Sequence, residues 1–252
     1  MEKHDAVIPW GLSGTASKAT EKGGKFEIEY AVKALRKYAH CIDRIFVVGD
    51  EPPKSIQNEV EHIYCDNPYT HIKDANIIYR IKKAIETVPD LSEDFLKVSD
   101  DIIVTRPAKW DDYEPQIKCL YTDHPIEWWK NTAHKSYWHS CLLETIRKFD
   151  LMKAAWWEPH INCHLNKYKW TEMCEKWDIT KDRGVIDLTL YYNFIGQEYI
   201  QPHDHLHINN SNRNILPTLK LEELPMHISW KDSAWENKHF RDILDQIIFE
   251  NA

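Results

Sequence analysis

Long apolar runs are missing from this chain. No stretch approaches the roughly 18 consecutive apolar residues that a membrane-spanning helix needs, so no membrane span is expected. The opening Met1-Glu2-Lys3-His4-Asp5 lacks the apolar core of a secretory signal, which leads to the expectation of a cytoplasmic protein. No CxxC pair occurs among the six cysteines. Scattered at Cys41, Cys65, Cys119, Cys141, Cys163 and Cys174, they read as buried thiols of a reducing compartment, not as a disulfide framework. An excess of positive charge is also missing. The net charge of −8 argues against a protein that holds nucleic acid through its overall field, although it leaves room for a local basic groove. Repeats, low-complexity tracts and flexible linkers are absent, so the 252 residues are expected to form one unit.

What is present is an alternation of short apolar runs and amphipathic stretches. Ala6 to Trp10 suits a first buried strand, and Phe26, Ala31, Leu35 and Tyr38 fall near helical spacing over 26–39. Arg44 to Asp50 reads as a second strand and Glu59 to Cys65 as a third. Asp74 to Ile85 reads as a helix with Ala75, Ile78, Ile81 and Ile85 on one face. Residues 94–100 follow as a fourth strand, which Ile102-Ile103-Val104 continues or pairs beside. Such an order predicts an α/β fold with a mainly parallel sheet. Ligands of such sheets sit beyond the carboxyl ends of the strands, where Pro9-Trp10, Gly49-Asp50 and Asp100-Asp101 fall.

The second half is helical and aromatic-rich. Helices are expected over 134–149 and 167–177, and residues 185–195 suit helix or strand equally. Met226 to Trp230 reads as a strand, followed by a closing helix capped by Asp232 or Ser233 with Phe240, Ile243, Leu244, Ile247 and Ile248 on its buried face. Eleven Trp and fourteen His suit stacking platforms for sugars or bases, although many such rings simply fill a core. The expected organisation is a donor half, 1–107, and an acceptor half, 108–252.

Asp100 and Asp101 carry the most chemical information. Adjacent acids repel each other, and the sequence shows no obvious partner for them. A divalent cation resolves that repulsion, because hard cations take carboxylate oxygens. The competing explanation is a turn of solvated acids. Asn76 and Arg80 lie one helical turn apart and share a face. In Trp156-Trp157-Glu158-Pro159-His160, either Glu158 or His160 is placed to deprotonate an acceptor hydroxyl as a general base. His203, Asp204, His205 and His207 have the spacing of a metal cluster, but a polar loop is the favoured reading.

Three segments together resemble a known family: Glu27 to Ala39, Asp43 to Asp50, and Pro89 to Leu96 ending at Asp100-Asp101. They resemble the core of Stealth-type sugar-phosphate transferases and, more broadly, are similar to GT-A fold glycosyltransferases. The likeness covers about residues 5–107 and is fainter at Glu158-Pro159-His160 and Ser229 to Asp232. It implies a nucleotide-diphospho-sugar fold with an aspartate motif binding Mn²⁺ or Mg²⁺. Here Ser-Asp-Asp stands where Asp-x-Asp is common. The resemblance further implies that Asn76 and Arg80 meet the nucleotide, that Asp50 lies against the nucleoside with Pro9 and Trp10 beneath it, and that His227 completes the metal shell. The expected activity is metal-dependent transfer from a nucleotide sugar, UDP-linked by preference, to a hydroxyl of a carbohydrate acceptor. The alternatives are sugar-phosphate transfer, or an acceptor that is a modified base of viral DNA, which the net charge disfavours.

Overall fold

The structure is a computed structural model that describes residues 2–11, 21–69, 73–115, 117–157, 160–177, 185–198, 205–209 and 213–250. Glu158, Pro159, His203 and Asp204, named above, lie outside the described residues. The first half runs β1 (His4–Trp10), α1 (Glu27–Tyr38), β2 (Ile42–Gly49), β3 (Glu61–Tyr64), α2 (Lys73–Thr87), β4 (Asp94–Lys97) and β5 (Ile102–Val104). There follow β6 (Cys119–Leu120), α3 (Ile126–Ala133), α4 (Tyr137–Ile146), β7 (Ala155–Trp156), β8 (Cys163–Asn166), α5 (Lys167–Lys176) and α6 (Asp187–Ile195). The chain closes with β9 (His205–Ile208), β10 (His227–Trp230), α7 (Asp232–Trp235) and α8 (Lys238–Asp245).

The central sheet has the order β3-β2-β1-β4-β8. Its first three pairings are parallel and only β4–β8 is antiparallel. The α/β class with a mainly parallel sheet is therefore what the chain adopts. Successive residues of a strand point to opposite faces, and here both faces are covered. Ala6 and Ile8 enter one core with Ala31, Val32 and Leu35 of α1, while Val7 enters another with Phe46, Ile78, Ile81 and Ala84. Burial on both faces is why β1 and β2 read as unbroken apolar runs. Each such side chain contributes about 1.5–3 kcal/mol by leaving water, so a charge at Val7 or Ile8 would break the stack.

Local signals set the helix ends. The Glu29 carboxylate accepts the Phe26 N–H at the start of α1, and the Ser55 hydroxyl donates to the same carboxylate. Gly196, at φ +66°, ends α6 in the left-handed conformation that glycine adopts without strain.

Tertiary contacts decide three points that the sequence leaves open or suggests otherwise. β5 neither continues β4 nor pairs beside it. It pairs antiparallel with β10, Ile102 opposite Ser229 and Val104 opposite His227, in a second sheet of order β5-β10-β9. Residues 185–195 resolve into α6, with Leu190, Tyr191 and Tyr192 buried. The closing helix is capped by neither Asp232 nor Ser233. Asp232 opens the short α7, and Asn237 caps α8 by accepting the Phe240 N–H at 3.2 Å. Among the described residues no helix is long and apolar enough to cross a membrane.

Candidate active site

The carboxyl ends of β1, β2 and β4 share one edge of the central sheet with the N-termini of α1 and α2. Helix N-termini carry partial positive charge, which favours anions there. Gly49 has φ +138°, and a Cβ on it would lie 1.8 Å from the Trp10 carbonyl oxygen, so only glycine allows β1 and β2 to end this close together. A Cβ on Gly11 would lie 2.4 Å from Arg80 Nη2. The Arg80 guanidinium is thus wedged beneath these strand ends. It donates to Asn67 Oδ1, and its buried Nε has no hydrogen-bond partner among the described residues. Burial pulls its pKa down, while Cys65, Asp50 and Asp100 oppose that.

Asp100 and Asp101 form the turn after β4. The turn is tied at both ends: Ser99 N–H donates to Asn162 Oδ1 at 3.0 Å, and Trp230 N–H donates to the Asp101 carbonyl at 3.2 Å. Both side chains are half-buried. Burial raises the pKa of each, Asp232 adds to it at Asp100, and Asp100 adds to it at Asp101. Glu27, the first residue of α1, is pushed up to about 8 by burial, then by Asp100 and Asp101, although Trp230 Nε1 donates to its carboxylate. Four acids from three separated segments therefore press on one another: Glu27, Asp100, Asp101 and Asp232.

A counter-charge to the aspartates stands at the start of α2, on the exposed Lys73. Desolvation by the packed atoms around it works against the charge on Lys73, but Asp101, Asp100, Asp74 and Asp187 outweigh that and raise its pKa. Beneath lies a buried ion pair, Lys97 Nζ to Asp187 Oδ2 at 2.9 Å, joining β4 to the start of α6. These groups balance part of the acidic cluster from below.

Hard carboxylate oxygens suit Mg²⁺ or Mn²⁺. Among the described residues, however, no three His, Cys, Asp or Glu side chains converge to hold a metal ion. Mg²⁺ commonly takes one or two carboxylates and completes its shell with substrate phosphates and waters. The Asp100-Asp101 turn fits that arrangement and does not fit an all-protein cage.

The remaining expected site residues divide. Pro9 and Trp10 end β1, and Asp50 follows β2 with its N–H donating to the Trp10 carbonyl at 3.4 Å, so all three stand at the site edge. Trp10 is also core, 2% exposed and edge-on to Phe26. Asn76 shares the buried face of α2 with Arg80, but its amide is spent on the backbone: Nδ2 donates to the Tyr69 carbonyl at 2.7 Å and Oδ1 accepts the Tyr69 N–H at 3.1 Å. It fastens the loop before α2. His227 is not brought to the aspartates. Opposite Val104, it sits at the far end of the β5–β10 ladder, wholly buried, and Nε2–H donates to the Asp112 carbonyl at 3.0 Å. His160 lies near the turn, two residues before Asn162, at φ +50°.

Sequence reasoning missed Glu27, Lys73 and Asp232 as members of this cluster. Glu27 and Asp232 carry the pattern of ordinary first-turn acids, and nothing local marks Lys73. Only the convergence of three segments distinguishes them.

No family model matches the chain. It is 30% identical over 88 residues to the exopolysaccharide phosphotransferase CpsY of Mycobacterium leprae (strain TN), a match spanning 33% of this chain and 16% of that protein. It is 28% identical over 96 residues to the capsular polysaccharide phosphotransferase fcs1 of Haemophilus influenzae, spanning 33% of this chain and 24% of that protein. The matches thus span about a quarter or less of the length of these curated relatives. Among solved structures, the apo-form glycosyltransferase GlyE of Streptococcus pneumoniae TIGR4 superposes with a TM-score of 0.44 at 12% identity, covering 99% of this chain and 64% of that one. A 4-diphosphocytidyl-2C-methyl-D-erythritol synthase superposes with a TM-score of 0.30 at 18% identity, covering 40% of this chain and 47% of that one.

Proposed function

We propose that this protein is a sugar-phosphate transferase of GT-A-like architecture that uses a nucleotide-diphospho-sugar donor. The observation that carries the reading is the acidic cluster at the carboxyl edge of a mainly parallel sheet, in a chain similar over a third of its length to two polysaccharide phosphotransferases. Ligands of such sheets bind at that edge.

In this reading an acceptor hydroxyl oxygen attacks the phosphorus that bears the sugar. The bond from that phosphorus to the bridging oxygen breaks, and a nucleoside monophosphate leaves. The hydroxyl proton passes to a carboxylate, and Glu27, with its raised pKa, is suited to receive it. Lys73 and Arg80 orient and offset phosphate charge from below. Asp100 and Asp101 would hold a divalent cation, which, when bound, neutralises charge on the phosphoryl oxygens. Positioning and electrostatics then do most of the catalysis.

The test is a panel of UDP-, CDP- and GDP-sugars with carbohydrate acceptors, with Mg²⁺ or Mn²⁺ and with chelator. Release of a nucleoside monophosphate is expected, and Asp101→Ala should lower it by about 10²–10³-fold. Release of a nucleoside diphosphate would replace sugar-phosphate transfer with glycosyl transfer. Release of neither across the panel would sink the reading. Equal nucleotide affinity with and without cation by calorimetry would remove the metal.

A further inference from the structure

A cleft of about 610 Å³, open to solvent, lies at the end of α6, and the transfer chemistry does not use it. Its floor and wall are aromatic: Trp157 and Tyr192, with ring centroids 5.0 Å apart, and the half-buried Phe149. Asp150, Lys153, Gln197 and Glu198 supply the polar rim. Apolar walls, a few polar groups and a volume of this size are what small-molecule sites commonly have. Hydrogen bonds fix the walls. Asn193 of α6 accepts the Ala155 N–H at 2.8 Å and donates to the Ala155 and Thr189 carbonyls at 2.8 and 2.7 Å. Thr189 Oγ1 accepts the Trp157 N–H at 3.2 Å and donates to the Trp157 carbonyl at 3.0 Å. Gly196 then turns the chain off the helix, with the Gln197 N–H bonded back to the Tyr192 carbonyl at 3.1 Å, which sets Gln197 and Glu198 at the mouth. A cleft held in this way has little order left to lose when a ligand enters.

Both clamped segments lead towards the acidic cluster. α6 begins at Asp187, paired with Lys97 at the end of β4, and its last turn lines the cleft about 12 Å further along the helix axis. The chain beyond Trp157 reaches Asn162, which accepts the Ser99 N–H just before the Asp100-Asp101 turn. Several sugar units, not one, bridge such a separation. The rim selects the chemistry of the ligand. Carboxylates accept from hydroxyls, and the Gln197 amide both donates and accepts. Two carboxylates against one ammonium disfavour a phosphate or an acidic sugar. Aromatic walls suit the apolar face of a sugar ring.

We propose that this cleft binds a neutral saccharide unit of an extended carbohydrate acceptor, several units away from the hydroxyl that reacts. Calling that carbohydrate the acceptor rests on the transfer reading, whereas carbohydrate binding in the cleft does not.

Ligand-observed NMR on the full chain, without donor, tests it. The neutral probes are maltohexaose, mannohexaose and galactohexaose, and the acidic probe is hexagalacturonate. The variants are the Asp150→Ala/Glu198→Ala double variant, Gln197→Trp to fill the mouth, and Asp101→Ala, each checked for an unchanged melting profile. At least one neutral probe should bind the parent, weaken about tenfold or more in both cleft variants, and bind Asp101→Ala as it binds the parent. The cleft is overturned as a neutral saccharide site if no neutral probe binds the parent at millimolar concentration. It is equally overturned if either cleft variant binds like the parent, or if hexagalacturonate binds more tightly than every neutral probe. If neutral binding follows the prediction while no nucleotide is released from any sugar donor, the cleft stands and the transfer reading falls. Where nucleotide is released, the cleft variants should raise KM for a long acceptor and leave kcat unchanged, because a remote unit binds equally in ground and transition states. A fall in kcat at unchanged KM would overturn the assignment to a non-reacting unit.

Discussion

The two edges of the central sheet treat the same residue type in opposite ways. At the amino edge, Asp5 accepts from Arg44 Nε and Nη2 at 2.9 and 2.8 Å and from the Ser92 N–H at 2.8 Å. Burial works against its charge, and Arg44 and Ser92 outweigh burial, so its carboxyl lies below the ordinary range. At the carboxyl edge, Asp100, Asp101 and Glu27 are all raised by burial first, and then by neighbouring acids: Asp232 at Asp100, Asp100 at Asp101, and both aspartates at Glu27. The acid at the amino edge is spent on holding the fold. Those at the carboxyl edge are held in mutual repulsion, a destabilising arrangement that perturbed functional groups commonly show.

Removing acids and their partners in turn should affect the two edges differently. The largest effect should come from Lys97, whose ion pair with Asp187 is buried on both sides. Lys97→Met leaves an uncompensated buried carboxylate, and urea unfolding should show a loss of about 3–5 kcal/mol. A loss under 1 kcal/mol would mean that the pair does not organise the sheet beneath the site.

Asp5→Asn should cost less, about 1.5–3 kcal/mol, because it weakens charge-assisted hydrogen bonds that Arg44 shares with solvent. The sign with pH is set by a depressed native pKa. Asp5 contributes stability above its ordinary 3.8, and that contribution is lost as pH falls through the native value. The variant should therefore approach the parent at low pH and diverge from it near neutrality. A gap that stays constant down to pH 2 would contradict this assignment.

The smallest effect, and one of opposite sign, is expected at Glu27. Its native pKa of about 8 exceeds the ordinary 4.5, so the folded state binds more protons between those values. Stability then falls as pH rises from 4.5 towards 8. Glu27→Gln keeps an acceptor for Trp230 and removes the repulsion. In chelator it should match the parent near pH 4 and exceed it by about 1 kcal/mol at pH 9. A variant less stable than the parent at pH 9 would erase the distinction between the two edges.

How far all this could be read in advance follows from how local each signal is. β1, β2, α1 and α2 were legible because periodicity and burial on both faces are written into consecutive residues, as in Ile45-Phe46-Val47-Val48. The Asp100-Asp101 turn was legible for the same reason: two acids closing a buried strand stand out in a single window. The partners of that turn were not, because Lys73, Glu27 and Asp232 each look like ordinary helix-terminal charges where they stand. His227 illustrates the converse. A histidine in a short C-terminal strand fits the expected role, yet its register with Val104 turns it into the core.

The sequence alone determined the class of the fold and which residues end its first strands, since alternating strands and helices are written in local pattern and parallel connections have one handedness. Only the tertiary structure decided which charges meet. It added β8 to the sheet, sent β5 to pair with β10, and set four acids from three segments against one another. Charge interacts through space, and residues far apart in the chain carry no mark of the neighbour they will have.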